Sequence, residues 1–390
     1  MMTGLLPLFI LAHFSHHFTA AIFQPLSPFI RDEFSLNYEQ FGWMMSGYNI
    51  TYGASHLPAG WLSDRLGPRL MIMLGISGVA FFAIMAGLAP SYMLMFIFMI
   101  MLGLMGGGYH PAASPIVATS VDKKYRGSAL GLHQIGGTAS FFLTPLIAAA
   151  VFQVLNWRWT IVSMAIPAFI IGIVLFLLLG RRGYAQKAAP VVTDIQPESS
   201  QSSGSVRRLI PFIALGVMLQ VLIMGVTAYI ALFAVDNLHA SEDMGAFLFS
   251  LFHFAGLWAG PVGGYLSDRV GTIPVVVTAS LVAGPALYLL KFTSMGWSIW
   301  VVLLVLGICM YIVMPVTESH IITHTPPHRR ATVLGIYYFV SRGGIGLSTP
   351  VMGFLADSYG FATVFTVAGA IMLGVAVICA LALLRNRGRV

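Results

Sequence analysis

The chain has 390 residues, of which 58% are hydrophobic and only 8% charged, with a formal net charge of +7. A soluble domain carries about 25% charged residues, so a water-soluble fold is excluded and the outer surface must face lipid, where apolar side chains need no covering layer. The positive balance does not point to nucleic acid, because the basic residues fall in short loops and not along one face.

Read in chain order, apolar runs of about 20 residues predict six spans at 5–30, 41–62, 68–89, 92–119, 127–154 and 158–180. Six more follow at 209–233, 244–266, 273–293, 297–322, 330–357 and 360–384. Runs of this length exclude barrel strands, so all twelve are helices whose backbone bonds close within each segment. Pro25, Pro111, Pro145, Pro261, Pro315 and Pro350 fall inside them and predict bends. No basic stretch followed by a small-residue cleavage site precedes the first run, so it is expected to remain as a helix. Cys309 and Cys379 lie in apolar runs without ligand spacing and are expected to be packing residues, with no disulfide or zinc site. The segment 181–208 is polar and rich in Ser, Gln and Pro between basic ends, which predicts a flexible linker. The expected organisation is therefore an N-terminal six-helix bundle (1–180), the linker (181–208) and a C-terminal six-helix bundle (209–390).

Lys and Arg set the orientation. Of the 20, sixteen fall on the side that holds the 62–68 loop, and only Arg31, Arg158 and Lys291 on the other. Both termini are thus expected in the cytoplasm of a bacterial cell. Arg342 is left deep within a span.

Two segments repeat. GWLSDRLG runs from Gly60 to Gly67 and GYLSDRVG from Gly264 to Gly271, so that Asp64 and Asp268 stand 204 residues apart. The same offset, without a gap, places Pro111 on Pro315, Arg126 on Arg330, Gly131 on Gly335 and Asp32 on Asp236. The halves are parallel repeats. Gly60 and Gly264 are expected to allow close helix packing. Asp64, Arg65, Asp268 and Arg269 are expected to cap neighbouring helix ends or to pair across loops, with Arg126 and Arg330 as partners.

The G-x-L-x-D-R-x-G motif, repeated between spans 8 and 9, resembles the signature loop of the major facilitator superfamily. That resemblance implies two six-helix bundles rocking about a central cavity, with these loops stabilising one of two alternating states. LAHFSHHF (Leu11 to Phe18), GGGYHPAAS (Gly106 to Ser114) and LGLHQIGGTASFFLTPLIAA (Leu130 to Ala149) further resemble the fosmidomycin-resistance group of proton-driven exporters. That group carries an acidic residue after the His-Pro of helix 4 and an Asn-Asp pair in helix 1. Here those positions are Ala112 and His16-His17.

Ionisable groups at membrane depth mark a pathway or a pair. Glu318 lies about 8 residues, roughly 12 Å, inside span 10, and Arg342 about 12 residues, roughly 18 Å, inside span 11 at 1.5 Å per residue. Two readings follow: a static ion pair, or a titrating Glu318 with Arg342 holding it or a substrate anion. His13, His16 and His17 share one helical face, which suits proton relay, substrate binding or metal ligation; the site is assigned no metal and no cofactor. His110, His133, His253, Gln24, Tyr48, Asn49, Tyr52, Gln134, Gln220, Tyr229 and Tyr337 complete an expected polar cavity lining. The repeat puts Asn49 on His253, His16 on Gln220 and His133 on Tyr337.

The function expected is proton-coupled export of a small organic compound by a monomer, its partners being the bilayer, the substrate and protons. The alternative is uptake or exchange of an organic anion. An enzyme is not expected, because no nucleophile elbow, P-loop, HExxH or paired-carboxylate motif occurs. A membrane sensor is the alternative outside transport, although no appended signalling module accompanies it.

Overall fold

A computed structural model describes residues 5–122, 126–181, 209–325 and 330–387. The linker residues 182–208 lie outside the described residues, as do the side chains of Gly60, Asp64, Arg126 and Arg330.

Twelve helical spans occupy the expected positions. In the first half they are α1 (Leu6–Ala20, resuming as Ser27–Glu33), α2 (Tyr38–Leu66), α3 (Pro68–Met73, a π turn Leu74–Gly78, then Val79–Gly87), α4 (Tyr92–Gly106 and Tyr109–Thr119), α5 (Arg126–Phe152) and α6 (Trp157–Arg181). In the second they are α7 (Ile210–Thr227 and Ile230–Leu238), α8 (Glu242–Phe254 and Ala259–Val270), α9 (Thr272–Leu289), α10 (Trp297–His324), α11 (Arg330–Tyr359) and α12 (Phe361–Arg387). Among the described residues eight helices are each long and apolar enough to cross a bilayer, and α8, bent by 41° at its break, makes a ninth. The three that fall short, α1, α2 and α11, do so for a reason. Their length is interrupted or their apolar content diluted by the polar side chains that turn inward to line the interior.

Helix pairing repeats between the halves. α1 packs on α5 and α6 as α7 packs on α11 and α12; α2 packs on α4 as α8 packs on α10; α3 packs on α6 as α9 packs on α12. The turn after each signature motif repeats too: Gly67 and Gly271 take φ of +86° and +93°, a region that penalises any Cβ. These are the motif glycines whose conformation is demanded. Gly264, expected to serve close packing, has open space where a Cβ would stand, so that expectation is not met here. The neighbouring Gly263 packs tightly instead: a Cβ there would stand 3.0 Å from the Ile312 backbone.

The halves meet through α2 against α11 and α5 against α8. Small residues bring the first pair into backbone contact: a Cβ on Gly42 would stand 2.7 Å from Pro350, one on Gly53 2.9 Å from Arg342, and one on Gly346 2.5 Å from Ile50. Toward the terminal side a Cβ added on Gly131 or Gly335 would meet nothing within 4 Å among the described residues.

The far side, opposite the termini, is bolted by polar contacts between the halves. Arg31 bridges Asp32 and its repeat counterpart Asp236, and the Tyr38 hydroxyl donates to Asp236 at 2.6 Å. Asp357 of α11 caps the N-terminus of α2, accepting from the backbone N–H of Tyr38 (3.0 Å) and of Glu39 (2.8 Å). Gln153 donates to Asp243 at 2.6 Å between the tips of α5 and α8. Within the first half Glu33 accepts from Arg158 and Trp157; burial alone would raise its pKa, but those hydrogen bonds outweigh it and hold the carboxyl below its usual value. On the terminal side no contact of this kind joins the halves among the described residues. Arg65 lies over Trp61 and Arg269 over Tyr265, each on its own helix. Polar contacts thus close the far side, and the described residues of the terminal side contribute none between the halves.

Because hydrogen bonds to charged groups contribute about 1.5–3 kcal/mol each, Asp236→Asn should shift the equilibrium away from far-side closure by tenfold or more. Spin labels at the exposed positions Val154 and His239 should report a longer distance population in that variant. An unchanged distribution would show that the bolt does not hold the closed state.

Candidate functional site

The central cavity lies where α2 and α11 begin to part. Its wall carries His17 and Gln24 from α1, Tyr48 and Asn49 from α2, Arg342 from α11, and the apolar side chains of Met45, Phe141 and Met224. No carboxylate lines it among the described residues. Arg342 makes no ion pair or hydrogen bond among the described residues; its guanidinium lies over the Tyr52 ring, 5.3 Å from the centroid. The expected Glu318–Arg342 pair is therefore not formed. Residue counting gave comparable depths, but the two side chains leave their helices in different directions.

Glu318 belongs to a separate polar group within the second half. It lies beside Tyr338, and its Oε1 is enclosed without a hydrogen-bond partner. Beside it Gln220 of α7 donates to the Tyr337 hydroxyl of α11. Tyr338 was not anticipated as a site residue, although the repeat set it opposite Gln134. Gln134 itself is exposed.

Imidazoles fill the corresponding place in the first half, packed ring against ring from α1, α4 and α5. His13 Nδ1–H donates to the His133 carbonyl at 2.8 Å, which leaves Nε2 as the unprotonated nitrogen of a neutral ring; Nε2 is buried without a partner. His16 Nδ1–H donates to the Gly75 carbonyl at 2.6 Å, and its Nε2 meets the Tyr52 hydroxyl at 3.3 Å. Gly75 lies in the π turn of α3, a distortion that frees a helix carbonyl for such a bond. His133 Nε2 shares a 3.1 Å hydrogen bond with Tyr109. His56 Nδ1–H donates to the Tyr52 carbonyl at 2.7 Å. His17 and His110 make ring contacts only, at centroid distances of 4.9 and 5.0 Å from His13.

The α4 break brings His110 inward. Its run Gly106, Gly107 and Gly108 lies against α2 and α3 so closely that a Cβ on Gly106 would stand 2.6 Å from the Tyr52 ring and one on Gly108 2.6 Å from Met71. Tyr109, missed in the sequence, was signalled by its place directly after this run.

Two expected lining residues lie elsewhere. Tyr229 is part of the far-side closure, donating to the Thr349 carbonyl at 2.6 Å and reaching the Tyr38 carbonyl at 3.1 Å. It sits at the break of α7, which lifts it out of the cavity. His253 stacks on Phe141 behind the wall and holds Tyr311 at 2.6 Å. For the signature loops, Asp268 and Arg269 are exposed and no ion pair involves them among the described residues; the expected partners Asp64, Arg126 and Arg330 have side chains outside those described.

The family model described as "Major Facilitator Superfamily" matches residues 9–236 and 213–389. The multidrug resistance protein MdtG of Citrobacter koseri is 25% identical over 383 residues, covering 91% of this chain and 89% of that one. A probable L-galactonate transporter of Escherichia coli is 27% identical over 160 residues, which are 41% of this chain and 35% of that protein. Among solved structures, a bacterial homologue of the human lysosomal transporter Spinster, inward-facing and occupied, superposes with a TM-score of 0.76 at 16% identity, covering 97% of this chain and 95% of that one. A peptide transporter POT in complex with sulfate gives 0.82 at 16% identity over 98% and 95%.

Tyr337→Phe would leave the buried Gln220 amide without its hydroxyl acceptor. A loss of about 1–3 kcal/mol is expected, read as a lower melting temperature in detergent; a variant as stable as the parent would mean that Gln220 finds another partner.

Proposed function

The chain belongs to the Major Facilitator Superfamily, and we propose that it moves a small organic compound bearing an anionic group by alternating access, with a proton as the coupling ion. It is a membrane transporter and not an enzyme. The observation that carries the substrate class is Arg342, a guanidinium without an ion pair or a cavity carboxylate among the described residues. A cation at membrane depth is expensive to hold alone, and a substrate anion supplies the missing charge. Gln24 and Asn49 provide polar contacts beside it, and Met45, Met224 and Phe141 an apolar surface for the rest of the molecule.

Glu318 is our candidate for proton coupling. Protonation removes the charge that burial penalises, and Glu318 stands near the end of α10 at His324, toward the terminal side. The charge bias of the loops supports a cytoplasmic assignment for that side. Full-length similarity to MdtG supports export as the direction. In this cycle the signature loops of Asp64 and Asp268 would close the terminal side once the far-side bolt opens, and residues 1–180 and 209–390 would move as the two bundles.

Two measurements test the proposal. Small organic anions should raise the melting temperature of the purified protein, neutral analogues should not, and Arg342→Gln should abolish the shift; stabilisation that survives this substitution would remove Arg342 from the site. In proteoliposomes Glu318→Gln should abolish flux driven by a pH gradient while sparing exchange at equal pH, since Gln imitates the protonated side chain. Gradient-driven flux persisting in Glu318→Gln would rule out the coupling role.

A further inference from the structure

The imidazole cluster contains more than proton-accepting capacity. Of its members, His16, His56 and His133 have ring nitrogens committed to hydrogen bonds with carbonyls and tyrosines. His13 is held through Nδ1 alone, its Nε2 buried without a partner, and no hydrogen bond holds the rings of His17 and His110 among the described residues. Each offers a ring nitrogen, and these three atoms lie within 4.8 Å of one another.

We propose that His13, His17 and His110 form a binding site for one divalent transition-metal ion of the zinc, nickel and cobalt class, with its open coordination position toward the central cavity. The chemistry of each ligand fits. His13 and His17 stand four residues apart on one face of α1, the spacing by which a helix presents two imidazoles to one metal. His110 completes the set from α4, carried inward by the break after Gly106. The hydrogen bond from His13 Nδ1 to the His133 carbonyl is the outer-shell contact characteristic of metal-binding imidazoles: it fixes the tautomer and turns the Nε2 lone pair inward. That nitrogen is buried and has no other partner.

Ideal ligation at about 2.0–2.1 Å requires the nitrogens to draw closer than their present spread. His17 and His110, whose rings no hydrogen bond holds among the described residues, are the two that would turn to close it.

Three neutral imidazoles leave a divalent ion with its full charge, and Arg342, in the same cavity as His17, adds another positive charge. The ion should therefore enter with an anion in its fourth position, directed toward Arg342. Oxygen, nitrogen or halide anions satisfy this requirement; the protein's contribution is the His₃ face. This inference goes beyond the transport reading and stands or falls by binding alone.

The test uses the full-length chain, purified in detergent without a polyhistidine tag. Titration with cobalt(II) chloride should give one equivalent of visible ligand-field absorption, which zinc chloride then displaces. His13→Ala, His17→Ala and His110→Ala should each weaken binding by more than the roughly 10–100-fold that loss of an outer-shell partner costs. His324→Ala, at the terminal end of α10, should bind as the parent does. His17→Gln and His110→Gln, which keep a polar side chain, replace any alanine variant that does not fold. Absence of stoichiometric cobalt binding in the parent, or equal affinity in the three histidine variants, would overturn the proposal.

Discussion

A guanidinium at the centre of a membrane helix costs on the order of 2.5–3.5 kcal/mol even in the lowest estimates, and Arg342 has no carboxylate among its described neighbours to offset that cost. The interior must therefore stay wet or accept an anion. This constraint organises much of the molecule. It explains why α2 and α11 are the poorest in apolar residues, why glycines bring them together beside Arg342, and why the cavity opens where they part. It also sets the chemistry of the neighbours: imidazoles, amides and hydroxyls, which solvate a substrate or ion without neutralising the cation permanently.

The two halves use one architecture for different chemistry. Helix pairings repeat, as do the left-handed glycines after α2 and α8 and the breaks that interrupt α1 and α7. At equivalent places, however, the first half carries His16 and His133, and the second Gln220 and Tyr337 next to Glu318. The titratable carboxylate and the imidazoles thus stand in separate polar groups of opposite bundles, and of these side chains His17 reaches the central cavity. At the far side the repeat is used in the contrary sense: Arg31 joins the equivalent carboxylates Asp32 and Asp236 into one interface between the halves. A closure made of a few charge-assisted bonds is strong enough to define a state and limited enough to be broken during a cycle.

Much of this was legible in the sequence. Apolar runs located all twelve spans, since lipid imposes a length on each, and the 204-residue offset of the signature motifs disclosed the repeat. The inward histidines of α1 followed from their spacing on one helical face. What escaped was set by direction and by local breaks. Counting residues gave Glu318 and Arg342 similar depths but could not say that one turns toward Tyr338 and the other toward Tyr52. Tyr229 left the expected cavity wall because α7 is interrupted beside it. Three glycines in α4 announced an irregularity, yet only the folded chain shows that it delivers His110 to His13 and His17. The π turn of α3, which frees the Gly75 carbonyl for His16, has no clear mark in the sequence.

Alternation between a far-side closure and a terminal-side closure is the claim on which the functional account rests, and locking one side tests it directly. In a background with Cys309 and Cys379 replaced, Gln153→Cys and Asp243→Cys would put two thiols at the tips of α5 and α8, where the native side chains meet at 2.6 Å. A short, reductively cleavable crosslinker should hold the far side shut. Crosslinked protein in vesicles should lose flux, still bind ligand from the terminal side, and regain flux on reduction. Undiminished flux through fully crosslinked protein would contradict alternation.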